Sequence, residues 1–129
     1  MSEHNEQVMY FKTCGLYAVT DKRYASIFAV PNAFKRTPRQ GKWMKDEGLR
    51  AGVPDIVVAV PMWEDGECLY PGLFIELKHG RGRLSQSQRE WLARLRGFGY
   101  AVAVANGCDV ALDITRRYFS GEYIQEWKP

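Results

Sequence analysis

Asp55, Glu76 and Lys78 are the residues whose types and spacing could do chemistry in this chain. They lie in GVPDIVVAVPMWEDGECLYPGLFIELK, residues 52–78, where two apolar runs hold ions at positions suited to buried strands. Side chains alternate along a strand, so Phe74, Glu76 and Lys78 share one face and Leu73, Ile75 and Leu77 the other. Glu76 and Lys78 are then two rises apart, ~7 Å between α-carbons. Asp65-Gly66 is a strong two-residue hairpin signal. A turn there sets Glu64 opposite Glu67 and, counting outward, Asp55 opposite Glu76. Pro61 and Pro71 interrupt that ladder, where a bulge or longer loop would shift the register.

Two carboxylates and an ammonium are thus expected side by side, and burying them costs several kcal/mol each unless they are paired or bind something. A salt bridge between Lys78 and one acid at an exposed sheet end would be nearly neutral in energy. It accounts for one acid and leaves the second repelled by the first. A divalent cation relieves that repulsion better. Mg²⁺ suits one or two carboxylates with water and phosphate oxygens completing its octahedron. Such an ion polarises a phosphodiester and acidifies a bound water, while Lys78 orients that water or stabilises developing charge. Spacing alone leaves both readings open.

The elements that must position these groups read as follows. Residues 3–17 suit a helix with Ser2 as N-cap, and SIFAVP (26–31) a short strand stopped by Pro31. Residues 38–48 suit a short helix closed by Gly48. IVVAV (56–60) and LFIEL (73–77) are strands. In the helix 85–98, Trp91, Leu92, Leu95 and Phe98 line one face. YAVAVA (100–105) is a buried strand, and 109–119 a final amphipathic helix entered through Asn106-Gly107. The order implies an α/β chain with a mixed sheet and helices on its faces. No linker, repeat or low-complexity tract divides it, so one domain over 1–129 is expected.

Composition narrows the class. An apolar fraction of 46% with seventeen aromatics belongs to a folded globular chain. No apolar run approaches the ~20 residues that span a bilayer, so no membrane partner is expected. MSEHNEQ lacks a signal-peptide pattern. Three widely spaced cysteines without a C-x-x-C suit a reducing, cytoplasmic setting. The net charge of +3 is uneven: residues 35–50 hold +4 and residues 78–96 hold +5, leaving −6 elsewhere. Two basic segments suit a polyanion, although solvated surface is the commoner meaning of a charge run.

Pro54-Asp55 followed by Glu76-Leu77-Lys78 resembles the signature of PD-(D/E)XK nucleases. GLRAGVPDIVV, GLFIELK, LSQSQREWLARLRGFGYAVAVANG and the earlier AVPN resemble the VRR-NUC subgroup, over about residues 26–119. The resemblance implies a restriction-endonuclease-like core of helix, three antiparallel strands, helix and strand. It also implies metal-dependent cleavage of branched or flapped DNA, including four-way (Holliday) junctions, by a protein that acts as a homodimer. In that family Asp55 and Glu76 would ligate Mg²⁺ or Mn²⁺ with the backbone carbonyl of Leu77, and Lys78 would be the catalytic lysine. The first-helix glutamate of the family matches Glu6 best, with Glu3 as competitor and a solvated first-turn acid as the bland alternative. The rival function is a nucleic-acid-binding module of the same fold without catalysis.

Gln88 lies on the apolar stripe of its helix and needs partners there. A capping box with Ser85 would satisfy it; the resemblance instead implies a place beside Lys78 and the metal. One side chain is not expected to serve both. In the basic loop 79–83, Arg81 and Arg83 suit phosphate contacts, and Arg36, Arg39 and Lys42 suit seating a duplex, with solvated surface the alternative for each. His79 points to the opposite strand face and is expected to be a bystander. Tyr118, Phe119, Tyr123 and Trp127 read as core or a subunit contact.

Overall fold

In a computed structural model, which describes residues 2–31, 37–125 and 127–129, the chain begins with helix α1 (Glu3–Tyr17) and a 3₁₀ turn (Lys22–Ser26). Strand β1 (Ile27–Ala29), helix α2 (Pro38–Asp46), β2 (Ile56–Val58), β3 (Met62–Glu64), β4 (Glu67–Tyr70) and β5 (Leu73–Lys78) follow. Helix α3 (Gln86–Gly97), β6 (Ala101–Asn106) and α4 (Cys108–Ser120) complete it. Local chemistry sets the boundaries. Ser2 caps α1 through the Asn5 amide, and Thr37 with Gln40 forms a capping box on α2, with Pro38 in its first turn. Gly121, in left-handed conformation, ends α4.

The main sheet has the order β1-β2-β5-β6. The first three strands are antiparallel neighbours and β6 runs parallel to β5. The expected strand pairing holds in register: Ile56 faces Ile75 and Val58 faces Leu73, as outward counting from Asp65-Gly66 requires. Asp65 and Gly66 both have positive φ, 50° and 81°, as a type I′ hairpin turn demands.

The ladder nevertheless splits in two. β3 and β4 form their own ribbon, because Pro61 and Pro71 supply no amide donor where the strands would otherwise continue. Within the ribbon Trp63 faces Cys68 but Met62 faces Tyr70, so Leu69 is an extra residue on β4. Three residues, 59–61, then oppose two, 71–72, which restores the register before Val58 meets Leu73. The strands expected over 56–60 and 26–31 are correspondingly shorter.

Strand parity divides the interior. Leu73, Ile75, Leu77, Ala101, Ala103 and Ala105 pack with Tyr10 and Cys14 of α1 and Ala111, Ile114 and Tyr118 of α4. On the opposite face Phe74, Val102 and Val104 meet Leu92, Leu95 and Trp91 of α3, with Trp127 from the C-terminal segment. Helices therefore cover both faces. Phe98 departs from its expected place: α3 ends at Gly97, and the ring beyond it is 72% exposed. The C-terminal aromatics are core in the main, since Tyr118 and Tyr123 are buried. The Tyr118 hydroxyl donates to the Val60 carbonyl at 2.7 Å, fastening α4 to the chain just before the ribbon.

Tyr118→Phe removes that donor and leaves a ring of nearly equal volume. The expected cost is about 1 kcal/mol of unfolding free energy, read as a lower urea midpoint with an unchanged denaturant slope.

Candidate active site

The site forms where β2 and β5 part company. Their ladder reaches Ile56 opposite Ile75, and one position further the Asp55 carboxylate accepts a hydrogen bond from the Leu77 amide at 2.8 Å. The main chain of Asp55 is held from the other side, where its carbonyl accepts from the Val30 amide at 2.8 Å. Asp55 is thus clamped between β1 and β5 and presented to Glu76.

Glu76 is 2% exposed, an unusual burial for a carboxyl group. Its Oε1 accepts from the Gln88 amide nitrogen at 2.5 Å and lies 3.8 Å from the Lys78 ammonium. Its Oε2 is buried and accepts no hydrogen bond among the described residues. Burial, and then the charge of Asp55, push the Glu76 carboxyl up to about 9. Burial also raises Asp55, against the lowering pull of the Leu77 amide; the charge of Glu3 raises it further. Burial and the neighbouring Asp55 charge both favour the protonated form of Glu76, so the two acids do not ionise independently.

Gln88 corrects the expectation that it must choose between two tasks. Its Oε1 accepts both the Ser85 amide, at 2.8 Å, and the Lys78 ammonium, at 3.1 Å, while its nitrogen donates to Glu76. The Ser85 hydroxyl completes the box by accepting from the Gln88 amide. A carbonyl oxygen has two lone pairs, and the amide's other end is free to point into the site. Capping and the site contact are one arrangement.

Gly52 escapes notice in a sequence reading, yet it presses the loop before Asp55 onto α3. Its φ is +89°, and a Cβ there would lie 2.6 Å from the Ser87 carbonyl carbon. The one legible sign was a glycine two residues before the Pro-Asp pair.

The first-helix acids separate. Glu6 accepts from the Cys108 amide and so caps α4, whose own N-cap, Gly107, has no side chain to do it. The Gly107 amide in turn donates to the Lys78 carbonyl at 2.9 Å, linking α4 to the end of β5. Glu3 is the acid whose charge reaches Asp55, and both line a cleft of about 640 Å³ with His4, Gln7, Phe11 and Val30. Leu77 buries its side chain in the opposite core while its backbone runs beside Asp55.

The remaining candidates lie on the surface. Arg81, Arg83 and His79 are exposed in the loop after β5, which Asn106 ties down by donating to the Gly80 carbonyl at 2.7 Å. Arg39 and Lys42 are exposed on α2, and Lys42 pairs with Asp46 at 3.3 Å. Arg36 lies outside the described residues. Among the described residues no group of three or more His, Cys, Asp or Glu is arranged to hold a metal ion. The acids that meet here are a pair. No described helix is long and apolar enough to cross a membrane.

A mixed sheet with three antiparallel strands, a parallel fourth, helices on both faces and an acidic pair at the strand ends is the framework of a nuclease-type domain. The chain belongs to the VRR-NUC domain family, whose model matches residues 20–109. It is similar in fold to a solved VRR_NUC domain protein, with a TM-score of 0.71 and 23% identity over 93% of this chain and 89% of the other. No curated protein matches it. As a nuclease-type domain it takes nucleic acid as substrate.

Two outcomes follow from the geometry. Gly52→Ala meets both an unfavourable φ and the backbone of α3; the expected loss is about 2–4 kcal/mol, measured by chemical denaturation. The Glu76 proton gives the second. A folded-state value near 9 against an ordinary 4.5 means the native state binds more protons than the unfolded chain between those limits. Stability without added metal should therefore fall as pH rises through that window, by at most about 1.4 kcal/mol per pH unit. Glu76→Gln, which mimics the protonated acid, should flatten the slope in melts taken across the same range.

Proposed function

We propose that the protein is a Mg²⁺- or Mn²⁺-dependent endonuclease that hydrolyses phosphodiester bonds in branched DNA, with a four-way junction as a natural substrate for a homodimer. The observation that supports this most is the pair formed by Asp55 and Glu76, in which a buried carboxylate oxygen is left without a donor. A buried acceptor of that kind normally has a partner, and a hard divalent cation is the partner that two acids and main-chain oxygens suit. Asp55 and Glu76 would hold the ion together with the Leu77 carbonyl. When bound, it would polarise the phosphodiester and lower the pKa of a water.

The chain's own groups do the rest. Lys78, 11% exposed at its side chain, keeps an ammonium beside the carboxylates, where it can orient a water or offset charge growing on the phosphate oxygens. Gln88 fixes the ammonium's position and holds Glu76 at the same time. Loss of the Glu76 proton readies the acids for the cation, so metal affinity should rise with pH. Glu3, facing Asp55, is the better placed first-helix acid; Glu6 is engaged in capping α4. Arg81 and Arg83 beyond β5, with Arg39 and Lys42 on α2, are suited to phosphates on either side of the scissile bond.

The test is a panel of labelled four-way junction, flap and plain duplex with Mg²⁺, Mn²⁺ or EDTA. Branched substrates should be cut preferentially and only with metal. Lys78→Ala should lower cleavage by at least about a hundredfold, the usual scale for a lost electrostatic or acid–base group, with DNA affinity largely kept. Product in EDTA would overturn the metal assignment, and no product with any metal would leave a non-catalytic binding module.

A further inference from the structure

Helix α2 stands apart from the packing that organises the rest of the chain. It is well formed at its start by the Thr37–Gln40 capping box, yet none of its residues is buried. Trp43 is 63% exposed. Leaving so large a ring in water forgoes one of the larger burial gains open to a side chain. Its surroundings are cationic on balance, with Asp46, paired to Lys42, and Glu47 the acids among them. Arg39, one turn earlier on the same face, sets its guanidinium 6.0 Å from the Trp43 ring centroid, and Lys42, Lys45 and Arg50 are exposed nearby in the chain.

The helix is also tethered close to the acids. The Leu49 amide donates to the Met44 carbonyl at 2.7 Å, turning the chain back at the helix end. Five residues separate Leu49 from Asp55, and Gly52 among them is pressed against α3. Met44 therefore lies no more than about 25 Å from Asp55 by chain length, less than one turn of duplex DNA.

We infer that α2 reads an unpaired stretch of DNA next to the scissile site, Trp43 stacking on an unstacked base while Arg39, Lys42 and Lys45 hold the adjoining phosphates. This rests on the proposed nuclease function and names the feature of the substrate that is recognised. An exposed indole offers a π-face that any base can use, and flanking cations supply the backbone attraction. In a base-paired duplex the bases are already stacked on each other, so the contact favours single-stranded arms and branch points. A second copy of the chain is the poorer occupant, since a two-fold contact would set this cationic face against itself.

The experiment measures binding in EDTA, where cleavage does not intervene, with a labelled splayed-arm DNA and a blunt duplex of equal paired length. Trp43→Ala should weaken splayed-arm binding about five- to 150-fold, the range of one base–aromatic stack, and blunt-duplex binding much less. Trp43→Phe should recover most of the difference. Light scattering and thermal melting of each variant accompany the titrations. Equal loss on both substrates, no loss on either, or a change of oligomeric state in Trp43→Ala would each overturn the inference. Absence of metal-dependent cleavage by the wild type would instead defeat the nuclease reading, and the binding titrations would still decide the role of Trp43.

Discussion

Two carboxyl groups held side by side, Glu76 buried and Asp55 half-buried at a cleft, are the constraint to which the surrounding structure answers. Left to itself the pair is unfavourable, because burial removes the hydration of both acids and their charges repel. A single nearby cation does not neutralise both: the Lys78 ammonium is ion-paired with Glu76 at 3.8 Å and is shared with Gln88. It holds them by main-chain and amide hydrogen bonds, from Leu77 to Asp55 and from Gln88 to Glu76. Those bonds fix position without satisfying every oxygen. Burial and the Asp55 charge favour a protonated Glu76, which lets the site tolerate its own assembly before a ligand arrives.

The sheet makes this possible by using its two faces differently. Odd-numbered residues of β5 fill the core beneath α1 and α4, while Phe74, Glu76 and Lys78 face α3. A slip of one residue in the β2–β5 pairing would bury Asp55 against the wrong neighbour and turn Glu76 toward the apolar core. The register is secured away from the acids by the turn at Asp65-Gly66, and it survives an extra residue at Leu69 because the opposite strand takes one up as well. β1 and β6 then clamp the pair of strands from either side.

Much of this was legible in the residues. Alternation along 73–78, the Asp-Gly turn and the apolar stripe of α3 gave the sheet pairing, the facing of Glu76 and Lys78 and the place of Asp55. What stayed hidden depends on contacts between distant parts of the chain or on geometry finer than spacing. Glu6 and the amide it caps are 102 residues apart, and no local pattern announces that pairing. The splitting of the ladder follows from the prolines, but its compensation at 59–61 required the backbone path. Phe98 satisfied the helical period and still lies in solvent, since periodicity does not say where a helix stops. For Gln88 the missing point is chemical: an amide has a donor end and an acceptor end, so one side chain serves the cap and the site together.

That double use of one amide binds the start of α3 to the site. The opening turn of a helix is ordinarily its loosest part, with amides that lack partners inside the helix. Here the Ser85 amide and the Lys78 ammonium converge on the same oxygen, whose own nitrogen is anchored on Glu76. Fraying of that turn would release a buried amine and expose an acid, so the helix end and the polar cluster loosen or hold as one cooperative unit. Any occupant that tightens the cluster would thereby lengthen the lifetime of the helix's first turn.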